Sequence, residues 1–423
     1  MKIIYLTATL AICGQLAAQT NGVLTWDQCL KETKTYSPNM ISAKAAVREL
    51  QHNVVAATAG FLPQINASAK HTKSGSRADD SASKEQDSTS AGLSLSQSLY
   101  SGGANTARRE QALIRLNIGK EQYRATLSDI EQQARLAYID VLYAQELIDL
   151  TRKITDRRAN NVRLIQLRFD GGRENAGSLA RSKAQLKEAE FEEREAHRSL
   201  DYALKNLSAA IGRIEPIAGV AGALSFTSPD PLANLQVLTR QTPNYLIAEK
   251  QVESARQGLT VTRSERFPSI KLSASTGLAG EQDLRDESWS MGVSASIPLF
   301  TGRRLTSEVL AANEQVIQTE MDLIDTGNSI MASLQGTWNN YTDAVEYAEV
   351  QKTLLDAEVL RAEISTAKYK QGLLDYEDWD IIESNLISQN KLHLQRQRAA
   401  AVQEANWRNA LGQSVWATTE ESN

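Results

Sequence analysis

The residues able to do chemistry are few and scattered. Four histidines, His52, His71, His197 and His393, lie far apart and share no spacing that would hold a metal ion. The two cysteines, Cys13 and Cys29, form no Cys-His pairing, and the chain has neither a phosphate-binding glycine loop nor a nucleophile elbow. Most acids follow the outward spacing of helices, which gives no support to paired-carboxylate catalysis. The densest acidic group, Asp375, Glu377, Asp378 and Asp380, follows Gly372 directly. There Asp375 is placed to cap a helix and the other acids to complement its dipole. The expectation is a protein that is not an enzyme and carries no cofactor and no metal.

Composition narrows the class further. With 46 Lys+Arg against 51 Asp+Glu, the net charge of −5 offers no electrostatic footprint for nucleic acid. The longest apolar stretch, Ile3 to Cys13, is too short for a spanning helix. With Lys2 before it and Leu16-Ala17-Ala18 after it, it reads as an export signal over residues 1–18. The rival is lipoprotein processing at Cys13, which the large Ile12 disfavours. A chain cut after Ala18 keeps one thiol, Cys29, so no internal disulfide is expected.

Two halves of the chain repeat. Leu93 to Gly102 matches Val293 to Gly302, Phe169-Asp170-Gly171-Gly172 matches Tyr369-Lys370-Gln371-Gly372, and Ala210-Ile211-Gly212 matches Ala410-Leu411-Gly412, all at an offset of 200 residues. Upstream the offset becomes 205, where Leu62-Pro63 pairs with Phe267-Pro268 and Pro38-Asn39 with Pro243-Asn244. Each copy carries two alternating runs. Ile65, Ala67 and Ala69 oppose Gln64, Asn66, Ser68 and Lys70; Leu93, Leu95 and Leu99 oppose Ser94, Ser96 and Ser98. In the second copy Ile270, Leu272 and Ala274 oppose Lys271, Ser273 and Ser275, while Trp289 through Leu299 alternate with Ser290, Gly292, Ser294 and Ser296. Alternation alone suits a soluble sheet with one face on a core. Opposite faces of Ser, Asn and Gly, flanking long helices and an export signal favour transmembrane β-strands instead.

Beyond Gly102 and Gly302 the period becomes helical. Leu127, Ile130, Ala134, Ala137, Val141, Ala144 and Ile148 step by three and four, as do Leu323, Gly327, Ile330, Leu334, Thr337, Tyr341, Ala344 and Ala348. Such seams are coiled-coil seams. Each proline-free run of about 66 residues spans roughly 100 Å as a helix. Glycines at Gly171-Gly172 and Gly372 end the runs, and a second helix returns from about Asn175 or Asp375. The organisation is therefore a signal, 1–18; a first repeat, 19–212, with strands 61–73 and 90–100 and a helical hairpin 103–211; a connector, 213–240; a second repeat, 241–412, with strands 267–279 and 288–300 and a hairpin 303–411; and a tail, 413–423. A polar loop is expected from Ser74 to Ser90.

Four strands cannot close a barrel, since bacterial barrels begin at about eight. Open edges in lipid leave backbone groups without partners, so copies of the chain must share the barrel. Two copies give eight strands and three give twelve with room for a lumen; the long helices favour the larger number, although the arithmetic alone permits either.

Helix, strand pair and long helical hairpin, twice over after a signal, resemble the TolC-like outer-membrane efflux channel family. The most specific marks are the strand-to-helix turns Leu99-Tyr100-Ser101-Gly102-Gly103 and Ile297-Pro298-Leu299-Phe300-Thr301-Gly302, with the Leu62-Pro63 and Phe267-Pro268 strand entries beside them. The resemblance implies a mainly α fold with a transmembrane β-barrel portion: antiparallel coiled-coil hairpins and four strands per chain, completed by a homotrimer into a twelve-stranded barrel. It implies residence in outer-membrane lipid with a periplasmic tunnel, and docking to an inner-membrane pump through a periplasmic membrane-fusion adaptor, for efflux or type I secretion. Nucleic acid is not an implied partner.

The resemblance also assigns sites. The turns carrying Gly171, Gly172, Arg173, Tyr369, Gly372 and Leu373 become the adaptor-docking tip. Asp378, six residues past Gly372, falls where the family places a pore-facing acid, with Asp375 beside it; Ser178 stands at the equivalent place in the first copy, where an acid is common. Leu374, which is uncharged, lies near a position where the family's best-known member has a closing arginine. Trp289, Phe300 and Tyr100 suit interfacial belts or ordinary packing at strand ends, and Arg108-Arg109 and Arg303-Arg304 read as solvated helix charges. A soluble periplasmic coiled-coil scaffold or adaptor is the competing reading; a general diffusion porin conflicts with the long helices.

Overall fold

The computed structural model of the protein describes residues 22–76, 84–280 and 284–416. The expected signal, 1–18, and the end of the expected tail, 417–423, lie outside the described residues. The fold is mainly helical with a few antiparallel strands. A two-residue strand β1 (Val23–Leu24) leads into α1 (Trp26–Tyr36) and α2 (Pro38–Thr58), followed by β2 (Gln64–Ser76), β3 (Lys84–Tyr100), α3 (Ala104–Asp170) and α4 (Ala176–Ile211). After β4 (Gly219–Val220) and α5 (Leu235–Gln241) come α6 (Pro243–Ser264), β5 (Ser269–Gly280), β6 (Asp286–Ser296), α7 (Arg304–Gln371) and α8 (Tyr376–Ala410). The two long helices have 67 and 68 residues, and the returning helices 36 and 35.

The chain divides into two compact units, each drawing on both sequence halves. The first takes residues Met1–Pro38, Glu131–Pro229 and Tyr341–Ala405. Its largest core gathers Ala134, Val141 and Ala144 of the expected α3 seam with Leu207 and Ile211 of α4, Ala401 and Ala405 of α8, and Leu24 and Val220. Small residues at the seam let the helices approach closely. Cys29 is fully buried there, and burial pushes its thiol up to about 12, so it stays protonated and inert. A capping box starts α1: the Gln28 amide donates to Thr25 Oγ1 at 3.3 Å and the Thr25 amide to Gln28 Oε1 at 2.9 Å. The parallel pair β1 and β4, invisible in the pattern because each has two residues, stitches the connector to the chain start.

The second unit takes Asn39–Ile130, Asp230–Asn340 and Asn406–Asn423, and holds the antiparallel sheet ordered β2-β3-β5-β6. Among the described residues, β2 and β6 each pair on one side only. One face carries Ile65, Ala67, Leu93, Leu95, Leu272, Ala274, Met291 and Val293; the other carries Asn66, Ser68, Ser94, Ser96, Ser273, Ser275, Ser290 and Gly292. Among the described residues, none covers the apolar face: Trp289 is 82% exposed, Met291 70% and Ile65 68%.

Several strand ends depart from the sequence pattern. The expected polar loop at Ser74–Ser90 is strand at its two ends, since Ser74 pairs with Gln86 and Ser88 with Thr72, while 77–83 lie outside the described residues. A ladder whose two faces are both wetted needs no apolar alternation, so the pattern could not mark it. At its start β2 begins at Gln64, not residue 61, because Ala59–Phe61 forms a 3-10 turn. β6 stops at Ser296 rather than residue 300, where Pro298 has no N–H for the ladder. The expected phase of Leu99 fails too: a bulge between Ser98 and Tyr100 brings Tyr100, not Leu99, opposite Ile270.

The strand-to-helix turns use positive φ at Gly102 (63°), Gly103 (90°), Gly302 (59°) and Arg303 (70°). A Cβ on Gly102 would lie 2.6 Å from the Ser264 carbonyl oxygen and 2.8 Å from Phe267 Cβ, whereas one on Gly103 meets open space. Gly102→Ala should therefore cost clearly more stability than Gly103→Ala, each losing at least about 1 kcal/mol to its φ. Arg303→Gly should gain about 0.5–1 kcal/mol by relieving a conformation that glycine adopts freely. Thermal unfolding of the detergent-purified protein, with the variants run side by side, checks this order.

Candidate functional site

Both helical hairpins turn by the same device. At the end of α3 the Gly172 amide donates to the Phe169 carbonyl at 2.9 Å and the Arg173 amide to Arg168 at 2.8 Å. At the end of α7 the Gly372 amide donates to Tyr369 at 3.0 Å and the Leu373 amide to Lys368 at 2.9 Å. These are Schellman closures, with glycine at φ 71° and 79°. Three residues on, a side chain starts the return helix: Asn175 Oδ1 accepts from the Ser178 amide and Asp375 Oδ1 from the Asp378 amide, both at 2.9 Å.

The turns present a mixed surface. Gly171, Gly172, Arg173, Gly372, Leu373, Asp375 and Asp378 are exposed, while Ser178 and Tyr369 are buried. Tyr369 is the centre of the packing behind the turns. Its ring stacks on Trp379 with centroids 4.5 Å apart and planes 6° from parallel, and the Arg168 guanidinium lies 4.4 Å from its centroid. Its hydroxyl donates to Glu174 at 2.8 Å; burial, and then that carboxylate, push its ionisation upward, so it remains a donor. Ile165, Leu179 and Tyr376 complete this cluster.

Behind it lies an ionic layer that the apolar pattern did not reveal. Glu383 is 1% exposed and takes two bonds from Arg157, at 2.6 and 2.7 Å, with others from Asn161 at 3.2 Å and Thr366 at 3.1 Å. Asp380 is 3% exposed and accepts from Gln185 at 3.0 Å, with Arg181 at 2.9 Å and Arg158 at 3.6 Å. Asp380 thus corrects the reading of this acid as a solvated dipole partner: it packs against α4 and α3. Glu383 likewise departs from the outward helical spacing expected of the rod acids. Trp379 Nε1 donates to Thr366 at 3.1 Å, joining the aromatic stack to the Glu383 cage. One signal was available: Tyr376, Asp380, Glu383 and Ile387 step by four, three and four, so the acids occupy a seam.

This arrangement binds α3, α4, α7 and α8 to one another behind the turns. Among the described residues, no three of His, Cys, Asp or Glu gather as metal ligands do. The turns at Gly102, Gly103, Pro298 and Gly302 belong to the sheet-bearing unit and serve the strand-to-helix transition described above.

Burial alone would raise the Glu383 carboxyl, but the Arg157 bonds and charge, with Asn161 and Thr366, hold it below the usual carboxylate range. A depressed native pKa stabilises above the unfolded value and is lost as pH falls through the folded one. Thermal stability should therefore decline from about pH 4.5 downward, and Glu383→Gln should flatten that decline while costing about 2–3 kcal/mol at neutral pH. Melting curves from pH 7 to 3 test both effects.

Comparison with known proteins follows the same geometry. The profile of the family described as Outer membrane efflux protein matches residues 29–213 and 235–413. The pyoverdine export outer membrane protein OpmQ of Pseudomonas aeruginosa is 27% identical over 371 residues, covering 82% of this chain and 76% of that protein. Outer membrane protein TolC of Vibrio cholerae is 23% identical over 326 residues, covering 74% of each. The crystal structure of CusC shares the fold with a TM-score of 0.82 at 17% identity, over 95% of this chain and 96% of that one.

Proposed function

Since this chain belongs to the outer membrane efflux protein family, we propose that three copies form a passive exit duct through the outer membrane. The chain is an outer-membrane efflux or secretion channel protein, with helices for a periplasmic tunnel. The observation that carries the finer reading is the uncovered apolar face of the sheet. On β5 its apolar positions run from Ile270 to Leu278. Nine residues at ~3.3 Å, tilted by about 40°, make a band of roughly 20–25 Å, close to the height of a lipid-facing girdle. A soluble scaffold would leave this face in water.

Two matched helical hairpins and four strands per chain support an internal repeat, and three copies supply twelve strands around a lumen lined by Ser, Gly and Asn. The exposed hairpin turns, with Gly171, Gly172, Arg173, Gly372 and Leu373, form the tip that meets a periplasmic adaptor and, through it, an inner-membrane pump. Tyr369 serves that tip from within, holding its shape through Trp379 and Glu174 rather than touching a partner. Asp378 and Asp375, exposed on the first turn of α8, supply a carboxylate ring at the aperture; three such acids repel one another and favour cations. Ser178, buried under its own cap, takes only a packing part in that rim.

Two measurements test the reading. A photo-crosslinker at Arg173 or Leu373, chosen because the adjacent glycines cannot take a side chain without strain, should capture an adaptor in living cells; one at the buried Tyr369 should not. In planar bilayers Asp378→Asn should lower the preference for cations over anions several-fold, with little change in thermal stability. A channel whose selectivity ignores Asp378 would remove the carboxylate ring from the reading.

A further inference from the structure

The sheet itself specifies how one copy meets the next. We propose that β6 of one copy pairs antiparallel with β2 of its neighbour in a single register, Gln64 opposite Ser296 through Ser74 opposite Asp286, sealed at the rim by an ion pair between Lys73 and Glu287 of adjacent copies. The inference rests on the shared-barrel reading above and adds to it the pairing partner of every residue along the seam.

Within one copy, the row that starts at Gln64 passes through Ser96 and Ser273 and arrives at Gly292. β6 runs four residues farther, to Ser296, before Pro298 stops the ladder. β2 begins at Gln64, immediately after Pro63. Bringing these two proline-bounded ends level places Gln64 beside Ser296 and slides each copy by four residues against the next. All 11 residues of β6 then find partners on β2.

Geometry admits the same slide and excludes shorter ones. Closing a sheet into a barrel requires a stagger, and stagger sets tilt. With ~3.3 Å per residue and ~4.8 Å between strands, four residues per four strands gives a tilt of about 35°. A slide of two gives about 19°, well outside the range of about 35–45° for such barrels, and six gives about 46°, at its upper limit. The result is independent of the number of copies.

Side-chain chemistry agrees. Only an even slide keeps Ser and Asn rows on one side and apolar rows on the other. At four, Ile65 faces Ala295, Ala67 faces Val293 and Ala69 faces Met291, so apolar meets apolar. The next residue of that face on β2 is His71, and it meets Trp289 where the apolar band ends. Lys73 meets Glu287, an opposite-charge cross-strand pair. Within its own copy Lys73 faces Asp87, so the neighbour's acid extends a charge row along the rim. At a slide of six, Lys73 would meet Trp289 and Glu287 would meet Gly75.

Paired cysteines test the seam in the full chain, extracted from outer membranes and oxidised with copper phenanthroline. Cys29 is fully buried and stays in place. Ser68→Cys with Gly292→Cys, and Ala67→Cys with Val293→Cys, sit on adjacent rungs, so one pair occupies a non-hydrogen-bonded site with close Cβ atoms. That pair should give a reducible covalent ladder of oligomers on denaturing gels. The slipped pairs Asn66→Cys with Gly292→Cys and Lys70→Cys with Gly292→Cys should link at least tenfold more slowly. Gly292 has open space for the new side chain. A slipped pair that links faster, or no linkage in a protein still running as a heat-dissociable oligomer, overturns the register while leaving the shared barrel standing. Protein that is monomeric in the membrane before oxidation sinks the shared barrel itself. As a second measurement, Lys73→Glu and Glu287→Lys should each lower the temperature at which the oligomer dissociates, and the double variant should restore it. Failure of that restoration overturns the ion pair.

Discussion

A peptide group placed in hydrocarbon must find its hydrogen-bond partner within protein. This requirement governs the chain, because its four-stranded sheet turns an oily face outward and leaves β2 and β6 each with one free side among the described residues. The β6 edge is not blunted by shortness: β6 is 11 residues long, and its apolar side carries Trp289, Met291 and Val293. In the proposed assembly the edges are joints. The prolines that stop pairing sit just outside the strands, at Pro63 and Pro298, where they define where a joint ends without weakening it.

The other unit answers a different problem with different means. Its helices pack through Ala and Val seams along much of their length, yet behind the hairpin turns the packing becomes ionic. Asp380 and Glu383 reach Arg157, Arg158, Arg181 and Gln185 across three helices. Buried pairs of this kind add little net stability relative to apolar packing, but removing one partner is costly because the other charge is stranded. They fix which helix face meets which, and so hold the turns in one orientation. The stacked Tyr369 and Trp379 carry that order from the ionic layer to the exposed glycines.

Much of this was readable from the residues. The glycine breaks at Gly171-Gly172 and Gly372 locate both hairpin turns, and the expected helix starts near Asn175 and Asp375 fall one residue from those observed at Ala176 and Tyr376. Leu127, Ala134 and Val141 are buried as their spacing requires. Much of what escaped has one cause: periodicity counts apolar residues. The outer parts of β2 and β3 are polar on both faces and looked like loop. Asp380 and Glu383 occupy seam positions but are charged, so they looked like surface. The bulge at Leu99 shifts a phase that strict alternation cannot represent, and Tyr369, read as a docking residue from the family pattern, lies in the core of the turn instead.

The polar side of the strands bears Asn66, Ser68, Ser94, Ser96, Ser273, Ser275 and Ser294, with glycine at Gly92, Gly277 and Gly292 and two lysines, Lys70 and Lys271. Short neutral hydroxyls hold water about as well as they hold a solute, and glycine offers a visitor no side chain to grip. In the proposed duct a wall made mostly of such groups gives a passing molecule few places to linger, so the time spent inside is set by diffusion and by whatever pushes from below.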